Sequence, residues 1–338
     1  MSGAQLIQDA WNKQAKWLVL LRPLSWVYQA GFALNRTLYQ KGLKQTYQAP
    51  IPVMVIGNIT VGGSGKTPLL IQLVNYLQSK DVSVGVISRG YGGDGPFPAQ
   101  VLTAADPQMV GDEPALIVQA TGVPMVVGPN RQASIETLLE HHRVDLIISD
   151  DGLQHWALAR QIEWIVLDQN RGLGNQKLLP EGYLRESIAR LETGTVIEHT
   201  DQPSSAYHMH LKPMQPYLLN AQGSHIFDQN QHFYAVVGIG FPARFYQTLT
   251  QLGLQYFECH EFPDHHEYSL DDLQFNDQHP IITTEKDAVK ILALLKQHPE
   301  FQQPIWVVPV AAVLSDACYV KLHEQLQQVG ISISEGSL

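Results

Sequence analysis

Short apolar runs alternate with segments of helical period through the first two thirds of the chain. The runs lie at residues 51–56, 82–87, 123–127, 144–152 and 163–168. They are short and rich in β-branched residues, which is typical of buried strands. The first run is followed by a stretch in which Leu69, Leu70, Leu73 and Val74 recur at helical spacing. Repeated strand and helix units of this kind predict an α/β fold with a doubly wound, mostly parallel sheet.

The pattern changes near residue 201. A polar stretch at 201–205 is followed by strand-like pieces at 207–211 and 225–227, which indicates a β-ribbon rather than another crossover unit. A second strand and glycine turn begin at Phe233. We therefore predict a main lobe over 45–205, a ribbon or hinge over 206–232 and a smaller α/β lobe over 233–338, preceded by an N-terminal segment over 1–44.

The N-terminal segment contains the most hydrophobic stretch of the chain, residues 17–43, which Arg22 and Pro23 interrupt. The uninterrupted part is too short to span a bilayer. After Pro23, apolar residues such as Leu24, Val27 and Leu34 share one helix face. The pattern predicts an amphipathic helix, which either packs on the core of the protein or lies in a membrane interface.

The distribution of charge favours the membrane alternative. Of the net charge of −10, residues 1–44 carry +5, which leaves −15 on the remainder. A basic, apolar N-terminal segment suits an anionic membrane surface, whereas an acidic body argues against a nucleic-acid partner. The only cysteines, Cys259 and Cys318, are too few for a disulfide framework, and we assign them no role.

A glycine-rich turn joins the first apolar run to its helix. The turn and helix start comprise Thr60, Val61, Gly62, Gly63, Ser64, Gly65, Lys66 and Thr67. Glycines let successive backbone N–H groups face an anion, the lysine reaches β- and γ-phosphate oxygens, and the threonine hydroxyl suits Mg²⁺. Thr60 stands where the usual pattern has its first glycine. The sequence predicts a phosphate-binding loop (P-loop) for a purine nucleoside triphosphate with Mg²⁺.

Polar side chains follow the other predicted strands. Asp150 and Asp151 end one strand and suit a magnesium ion opposite the loop hydroxyl, with Gln154 and His155 directly after them. Arg89 follows another strand. An arginine at that position can bind a phosphate, or it can be a solvated residue of a turn. Asp112 and Glu113 open a helix, and by position alone they are caps.

The smaller lobe contains adjacent histidines, His265 and His266, flanked by carboxylates. They suit either a metal ion, for which no further ligands are obvious, or proton transfer by a histidine that an aspartate orients. The strand ending at 281–284 also leads into the polar residues Glu285, Lys286 and Asp287.

Separate clusters of this chain resemble one family, the tetraacyldisaccharide 4′-kinases, which are the lipid A 4′-kinases of Gram-negative bacteria. The clusters are GNITVGGSGKTP (57–68), SRGYG (88–92), GDEP (111–114), DDGLQH (150–155), FPDHH (262–266) and TTEKDA (283–288). Thr60 is normal for the family, whereas Leu153 stands where the family usually has Phe.

The resemblance implies transfer of the ATP γ-phosphate to the 4′-hydroxyl of a tetraacylated glucosamine disaccharide 1-phosphate. It implies that the reaction takes place at the cytoplasmic face of the inner membrane and that the substrate enters between a P-loop lobe and a smaller lobe. By motif, Lys66 neutralises the transferred phosphate, and Asp112 is the base, paired with His265. The implied magnesium ligands are Ser64, Thr67, Asp150 and Asp151; the implied cleft residues are Arg89, Glu113, Gln154, His155, Arg185 and Glu186.

Two other functions fit parts of the sequence. A membrane-recruited regulatory ATPase would use the P-loop as a switch and the second lobe for a protein partner. A P-loop ligase would act on a small soluble acid. The kinase interpretation needs no obligate protein partner.

Overall fold

A computed structural model describes residues 3–220 and 226–333 of the chain, and within these residues two β-sheets form two lobes. The first lobe contains a nine-stranded sheet, and the second lobe a five-stranded sheet. Residues 221–225, in the predicted ribbon or hinge, lie outside the described residues, as does the first residue of the strand-like piece 225–227.

The elements follow in chain order. The strands are β1 (Val53–Gly57), β2 (Val84–Ser88), β3 (Ala99–Gln100), β4 (Met125–Val127), β5 (Leu146–Asp150), β6 (Ile162–Asp168), β7 (Thr195–His199), β8 (His208–Pro213), β9 (Tyr217–Leu218), β10 (Phe233–Val237), β11 (Phe257–Glu261), β12 (Ile281–Thr284), β13 (Ile305–Val308) and β14 (Val310–Leu314). The α-helices are α1 (Gly3–Asn12), α2 (Arg22–Gln40), α3 (Lys66–Ser79), α4 (Pro107–Val110), α5 (Asp112–Thr121), α6 (Arg131–His141), α7 (Pro242–Gln251), α8 (Glu285–Gln297) and α9 (Asp316–Gln328). Short 3₁₀ helices span Lys16–Leu21, Ile188–Glu192 and Asp271–Leu273.

The first sheet has the order β14-β8-β7-β6-β1-β5-β2-β4-β3, and only its end strands β14 and β3 pair antiparallel. Apolar clusters cover both faces, which explains why central strands such as β1 are apolar at every position. One cluster includes Leu69 and Leu73 of α3, and the other includes Ile135 and Leu138 of α6. The carboxyl ends of β1, β2 and β5 therefore lie side by side at one edge of the sheet.

The second sheet has the order β11-β10-β12-β13-β9, with only β9 antiparallel. Phe245 and Leu249 of α7 pack on one face, and Ile291 of α8 packs on the other. This lobe is thus a smaller α/β layer structure of the kind that the sequence predicts.

A two-stranded ribbon joins the lobes. β8 pairs with β14 in the first sheet, and β9 pairs with β13 in the second. At the crossing, the Met214 N–H donates to the Pro309 carbonyl over 2.9 Å. Both chain segments that run between the lobes are therefore held to each other.

The C-terminal part of the chain returns to the first lobe. β14 is an end strand of the first sheet, and Leu322 and Leu326 of α9 lie in the same apolar cluster as α3. Trp164 of β6 also donates to Gln325 over 2.8 Å. The predicted smaller lobe over 233–338 stays a prediction as a domain. In the structure, the second sheet ends with β13, and β14 already belongs to the first sheet. Local pattern does not reveal with which sheet a strand pairs.

The N-terminal helix α2 packs on the first lobe through one face only. Arg22 makes a 2.8 Å ion pair with Glu181, Ser25 donates to the Leu178 carbonyl, and Tyr28 donates to the Arg185 carbonyl. Apolar side chains on the helix and the turn before it are exposed: Leu20, Leu24, Trp26, Val27 and Leu34. Among the described residues, no helix has the length and apolar character needed to cross a membrane.

Substitution of Leu322 tests the return of the chain to the first lobe. Leu322 is fully buried, whereas Val320 on the same helix is 56% exposed. We expect Leu322→Ala to lower the free energy of unfolding by about 2–5 kcal/mol, because it leaves a cavity in the first core. Val320→Ala should cost less than about 1 kcal/mol. Urea unfolding of both variants measures this, and equal losses would contradict the packing described.

Candidate functional site

The P-loop connects β1 to α3 at the carboxyl edge of the first sheet. Gly62 and Gly65 have φ of +98° and +92°, which only glycine adopts freely. A Cβ at Gly65 would lie 2.7 Å from Nδ1 of His199, so the loop is also too tightly packed for a side chain there. The Ser64 carbonyl lies 2.9 Å from the same nitrogen. The loop is held in the curled shape that aims backbone N–H groups at an anion.

Lys66, at the start of α3, faces the acidic pair at the end of β5. Its Nζ lies 3.5 Å from Oδ1 of Asp151, and Arg185 donates to Oδ2 of Asp151 over 2.8 Å. Burial opposes ionisation of Asp151, but Lys66 and Arg185 lower its pKa to about 2. Asp151 is therefore ionised and is fixed between two cations.

Asp150 makes no ion pair of this kind among the described residues, although the charges of Lys66 and Arg131 act to lower its pKa. It is buried, its Oδ1 accepts no hydrogen bond among the described residues, and burial with the charges of Glu113 and Asp151 raises its pKa to about 7. The buried Ser64 hydroxyl likewise has no partner within 3–220 and 226–333. Unpaired oxygen ligands beside a buried carboxylate fit a magnesium ion.

A magnesium ion here would need oxygen ligands from outside the acidic pair. The described residues contain no group of three or more His, Cys, Asp or Glu side chains that could hold a metal. Ser64, the half-buried Thr67 at the second position of α3, and substrate phosphates are the hard oxygen donors available. The predicted ligand set thus fits Mg²⁺ bound together with a nucleotide.

Asp112 lies at the first turn of α5 and faces the second lobe. Nδ1 of His265 is 3.1 Å from both of its carboxylate oxygens, and Lys286 and Lys290 lie 3.9 Å from Oδ2. Burial opposes ionisation, but the hydrogen bond with His265 and the two lysines lower the pKa of Asp112 to about 2. Asp112 is a buried, ionised carboxylate in contact with a histidine from the other lobe.

His266 faces a different carboxylate. Its Nε2 lies 3.1 Å from Oδ2 of Asp272, whereas His265 adopts a left-handed backbone conformation with φ of +62°. This turn sends the two rings in different directions. Of the two histidines, His265 is the one that contacts Asp112.

Two of the other predicted cleft residues, Gln154 and Glu186, form a network near the end of β5. Gln154 donates to Glu186 over 2.8 Å and to the Asn58 carbonyl over 3.0 Å, which links the acidic strand to the P-loop. Glu113 accepts from Lys286 over 3.1 Å. Arg89 is exposed and makes no hydrogen bond or ion pair with the part of the chain that the structure describes.

His155 lies in a cationic environment. Burial, followed by the charges of Arg131, Arg160 and Arg89, lowers its pKa to about 4. The ring is therefore neutral at pH 7, and it can accept or donate a hydrogen bond without adding charge to the cleft.

Sequence reasoning missed two arginines of the site. Arg131 is buried and donates to the carbonyls of Gly128 and Asp150, and Arg171 donates to the Val61 carbonyl of the P-loop. Arg131 opens a helix directly after a strand, a position that could have indicated it. Arg171 lies in an irregular loop, and the sequence gives no signal for it.

A cleft of about 930 Å³ lies between the lobes. Loops after β6 and β7 form one wall of the cleft, and α7 forms the other. The residues that line the cleft include Gln169, Asn170, Thr200, Gln202, Tyr246 and Gln247. Arg244 of α7 makes an ion pair with Asp168 at the end of β6, next to this cleft.

The fold and the site define a P-loop phosphotransferase. A phosphate-binding loop, an acidic strand end and a carboxylate–histidine pair lie at the junction of two lobes, as transfer of a phosphoryl group from a nucleotide requires. The chain belongs to the tetraacyldisaccharide-1-phosphate 4′-kinase family, whose model matches residues 17–328.

Proteins of similar sequence carry the name of the same kinase. Tetraacyldisaccharide 4′-kinase of Psychrobacter cryohalolentis is 48% identical, with 99% of each chain covered. The protein of that name from Shewanella sp. strain MR-4 is 45% identical, with 96% of each chain covered. A crystal structure of LpxK from Aquifex aeolicus in complex with ATP superposes with a TM-score of 0.73 at 26% identity, covering 92% of this chain and 99% of that one.

These findings confirm the family, the α/β fold, the kinase class and the use of ATP with Mg²⁺ that the sequence predicts. They do not support the regulatory ATPase. The roles of individual site residues stay predictions.

The charge state of His155 can be measured directly. We expect its ring to titrate near pH 4 in an NMR titration, because burial and three arginines disfavour the imidazolium. Since the folded-state pKa lies below the unfolded value near 6.5, His155 removes stability as the pH falls from about 6.5 to about 4. Titration of the ring near pH 6.5 would contradict the environment described.

Proposed function

We propose that this protein transfers the γ-phosphate of ATP to the 4′-hydroxyl of a tetraacylated glucosamine disaccharide 1-phosphate, a step of lipid A biosynthesis. The observation that carries the proposal is the Asp112–His265 contact across the lobes, beside a P-loop and an unpaired acidic strand end. The names of the similar proteins specify the acceptor.

The P-loop amides and Lys66 hold the phosphate oxygens and neutralise the charge on the transferred group. Ser64, Thr67, Asp150 and Asp151 would hold Mg²⁺, which supplies further charge neutralisation when it is bound. Arg185 keeps Asp151 oriented toward Lys66. Gln154, Glu186, Arg89 and His155 line the cleft on the acceptor side.

Asp112 is the proton acceptor for the sugar hydroxyl. A hydroxyl is a poor nucleophile, and a carboxylate within about 3 Å of its proton assists the attack. His265 orients the carboxylate and shares the proton through the 3.1 Å contact. Because the two residues belong to different lobes, the base is complete only when the lobes are in contact.

The nucleoside part of ATP occupies the cleft at the ends of β6 and β7. The γ-phosphate must face Asp150 and Asp151 on the β5 side of the P-loop, which directs the other end of the nucleotide toward β6. The cleft there has amide side chains and the ring of Tyr246, which suit hydrogen bonding and stacking with a base. The ion pair of Arg244 with Asp168 would hold α7 over it.

The exposed apolar face of α2 binds the membrane surface. Leu24, Val27 and Leu34 face solvent while the opposite face of the helix packs on the first lobe. Such a helix lies in the interface plane and does not span the bilayer. We propose the cytoplasmic face of the inner membrane as its location, with the acyl chains of the substrate remaining in the lipid. The proposal includes no obligate protein partner.

A kinase assay with a tetraacyl disaccharide 1-phosphate tests the base. We expect Asp112→Ala to lower turnover by about 100-fold or more, because the hydroxyl loses its proton acceptor, while ATP still binds. Asp272→Ala is the matched control, since it removes the carboxylate of the neighbouring His266 pair and should leave turnover within about twofold. Equal turnover of wild type and Asp112→Ala would refute the role of Asp112.

Vesicle binding tests the apolar face. Val27→Asp combined with Leu34→Asp should weaken partitioning onto phosphatidylglycerol-containing vesicles by on the order of 100-fold, because two apolar contacts with lipid are lost. Gln29→Asp with Gln40→Asp adds the same charge to exposed positions of the same helix without removing apolar surface. If both pairs of substitutions weaken binding equally, charge and not the apolar face governs the association.

A further inference from the structure

Lys286 lies beside the catalytic pair and has no role in the reaction proposed above. Its Nζ donates to Asp264 over 3.0 Å and to Glu113 over 3.1 Å, and it lies 3.5 Å from Nε2 of His265. Glu113 belongs to the first lobe and Asp264 to the second. One ammonium group therefore contacts both lobes and the distal nitrogen of the catalytic histidine.

The start of α8 is built to hold this lysine in place. The buried Asp287 accepts from the Tyr268 hydroxyl over 2.9 Å, from the Thr284 hydroxyl over 2.7 Å and from the Gly238 N–H over 3.2 Å. Thr284 in turn caps the helix by accepting from the Asp287 N–H. The TTEKDA motif is thus a rigid support from which Lys286 projects into the site.

The chemistry of an ammonium group constrains the histidine. Burial opposes the charge on Lys286, but Glu113, Asp264 and Asp112 raise its pKa, so it carries only N–H donors at neutral pH. A donor beside Nε2 favours the ring form in which Nε2 has a free electron pair. That form carries its proton on Nδ1, where it can donate to Asp112.

The charges around His265 act in opposite directions. Burial and the charge of Lys286 disfavour the imidazolium form of the ring. The hydrogen bond and charge of Asp112 and the charge of Asp264 favour it, and the net effect raises the pKa of His265 above its usual value. The ring of Tyr91, 5.1 Å away, adds no charge. A pair that already carries the extra proton cannot accept one from a substrate hydroxyl.

We propose that Lys286 is a positioning residue that keeps His265 in its Nδ1–H form and limits its protonation, so that the Asp112–His265 pair is free to accept a proton. The kinetic consequence rests on the function proposed above, whereas the effect on the ring does not. Lys290, the other lysine near Asp112, has its Nζ 3.3 Å from Asp287 and faces the carboxylate rather than the ring.

The effect on the ring is tested by ¹⁵N NMR of histidine-labelled full-length protein. We expect the pKa of His265 to rise by about one unit in Lys286→Met, because a nearby positive charge is lost. The neutral ring should also lose its preference for the Nδ1–H form. Lys286→Arg keeps a cationic donor and should restore most of both properties. Lys296→Met, on the exposed end of the same helix, should change neither.

The kinetic effect is tested by pH profiles of turnover with the lipid disaccharide. Lys286→Met should lower kcat at pH 7 by about tenfold, move the acidic limb up by about one pH unit and leave the KM for ATP within about twofold. If Lys286 contributed only to stability, Lys286→Met would lower the melting temperature without moving the acidic limb of the pH profile. The proposal is overturned if the His265 titration and ring form are the same in Lys286→Met and wild type. If those change while the wild-type protein does not phosphorylate the lipid disaccharide, the proposed function fails and the positioning of His265 stands.

Discussion

The site depends on a buried carboxylate whose counter-charges come from the other lobe. Asp112 belongs to the first lobe, and the cationic or titratable groups that contact it, His265, Lys286 and Lys290, belong to the second. A buried carboxylate without partners would take up a proton instead of remaining charged. Contact between the lobes therefore keeps this buried carboxylate ionised as well as positioning it.

Two further contacts keep the lobes in register around the P-loop. Arg244 and Asp168 form an ion pair on the β6 side, opposite the Asp112 side. Gly240 of the second lobe lies so close to the loop that an added Cβ would be only 3.3 Å from the Gly63 nitrogen. Gln8 of α1 also donates to the Gly240 carbonyl. Gly240 therefore lies against both the phosphate-binding loop and α1, so that nucleotide binding and lobe contact affect neighbouring atoms.

Much of the site follows from the sequence because strand ends are local features. The P-loop and the Asp150–Asp151 strand end could be predicted, since apolar runs fix where a parallel strand delivers its polar residues. Asp112 could not be separated from a helix cap by position alone; the family motif indicated its role. That His265, and not His266, contacts Asp112 depends on one left-handed backbone turn. Arg131 could have been noticed because it opens a helix after a strand, whereas Arg171 contacts the Val61 carbonyl, which is remote in sequence, and no local pattern encodes that contact.

The order of strands in the first sheet has a consequence for synthesis on the ribosome. β8 is made before the whole second lobe, but its antiparallel partner β14 and the covering helix α9 emerge only afterwards. Until then, the nascent first lobe presents an open sheet edge and an apolar surface over α3 that Leu322 and Leu326 later cover. The second lobe is in effect an insertion into the first, and the lobe that contains the P-loop completes its core last.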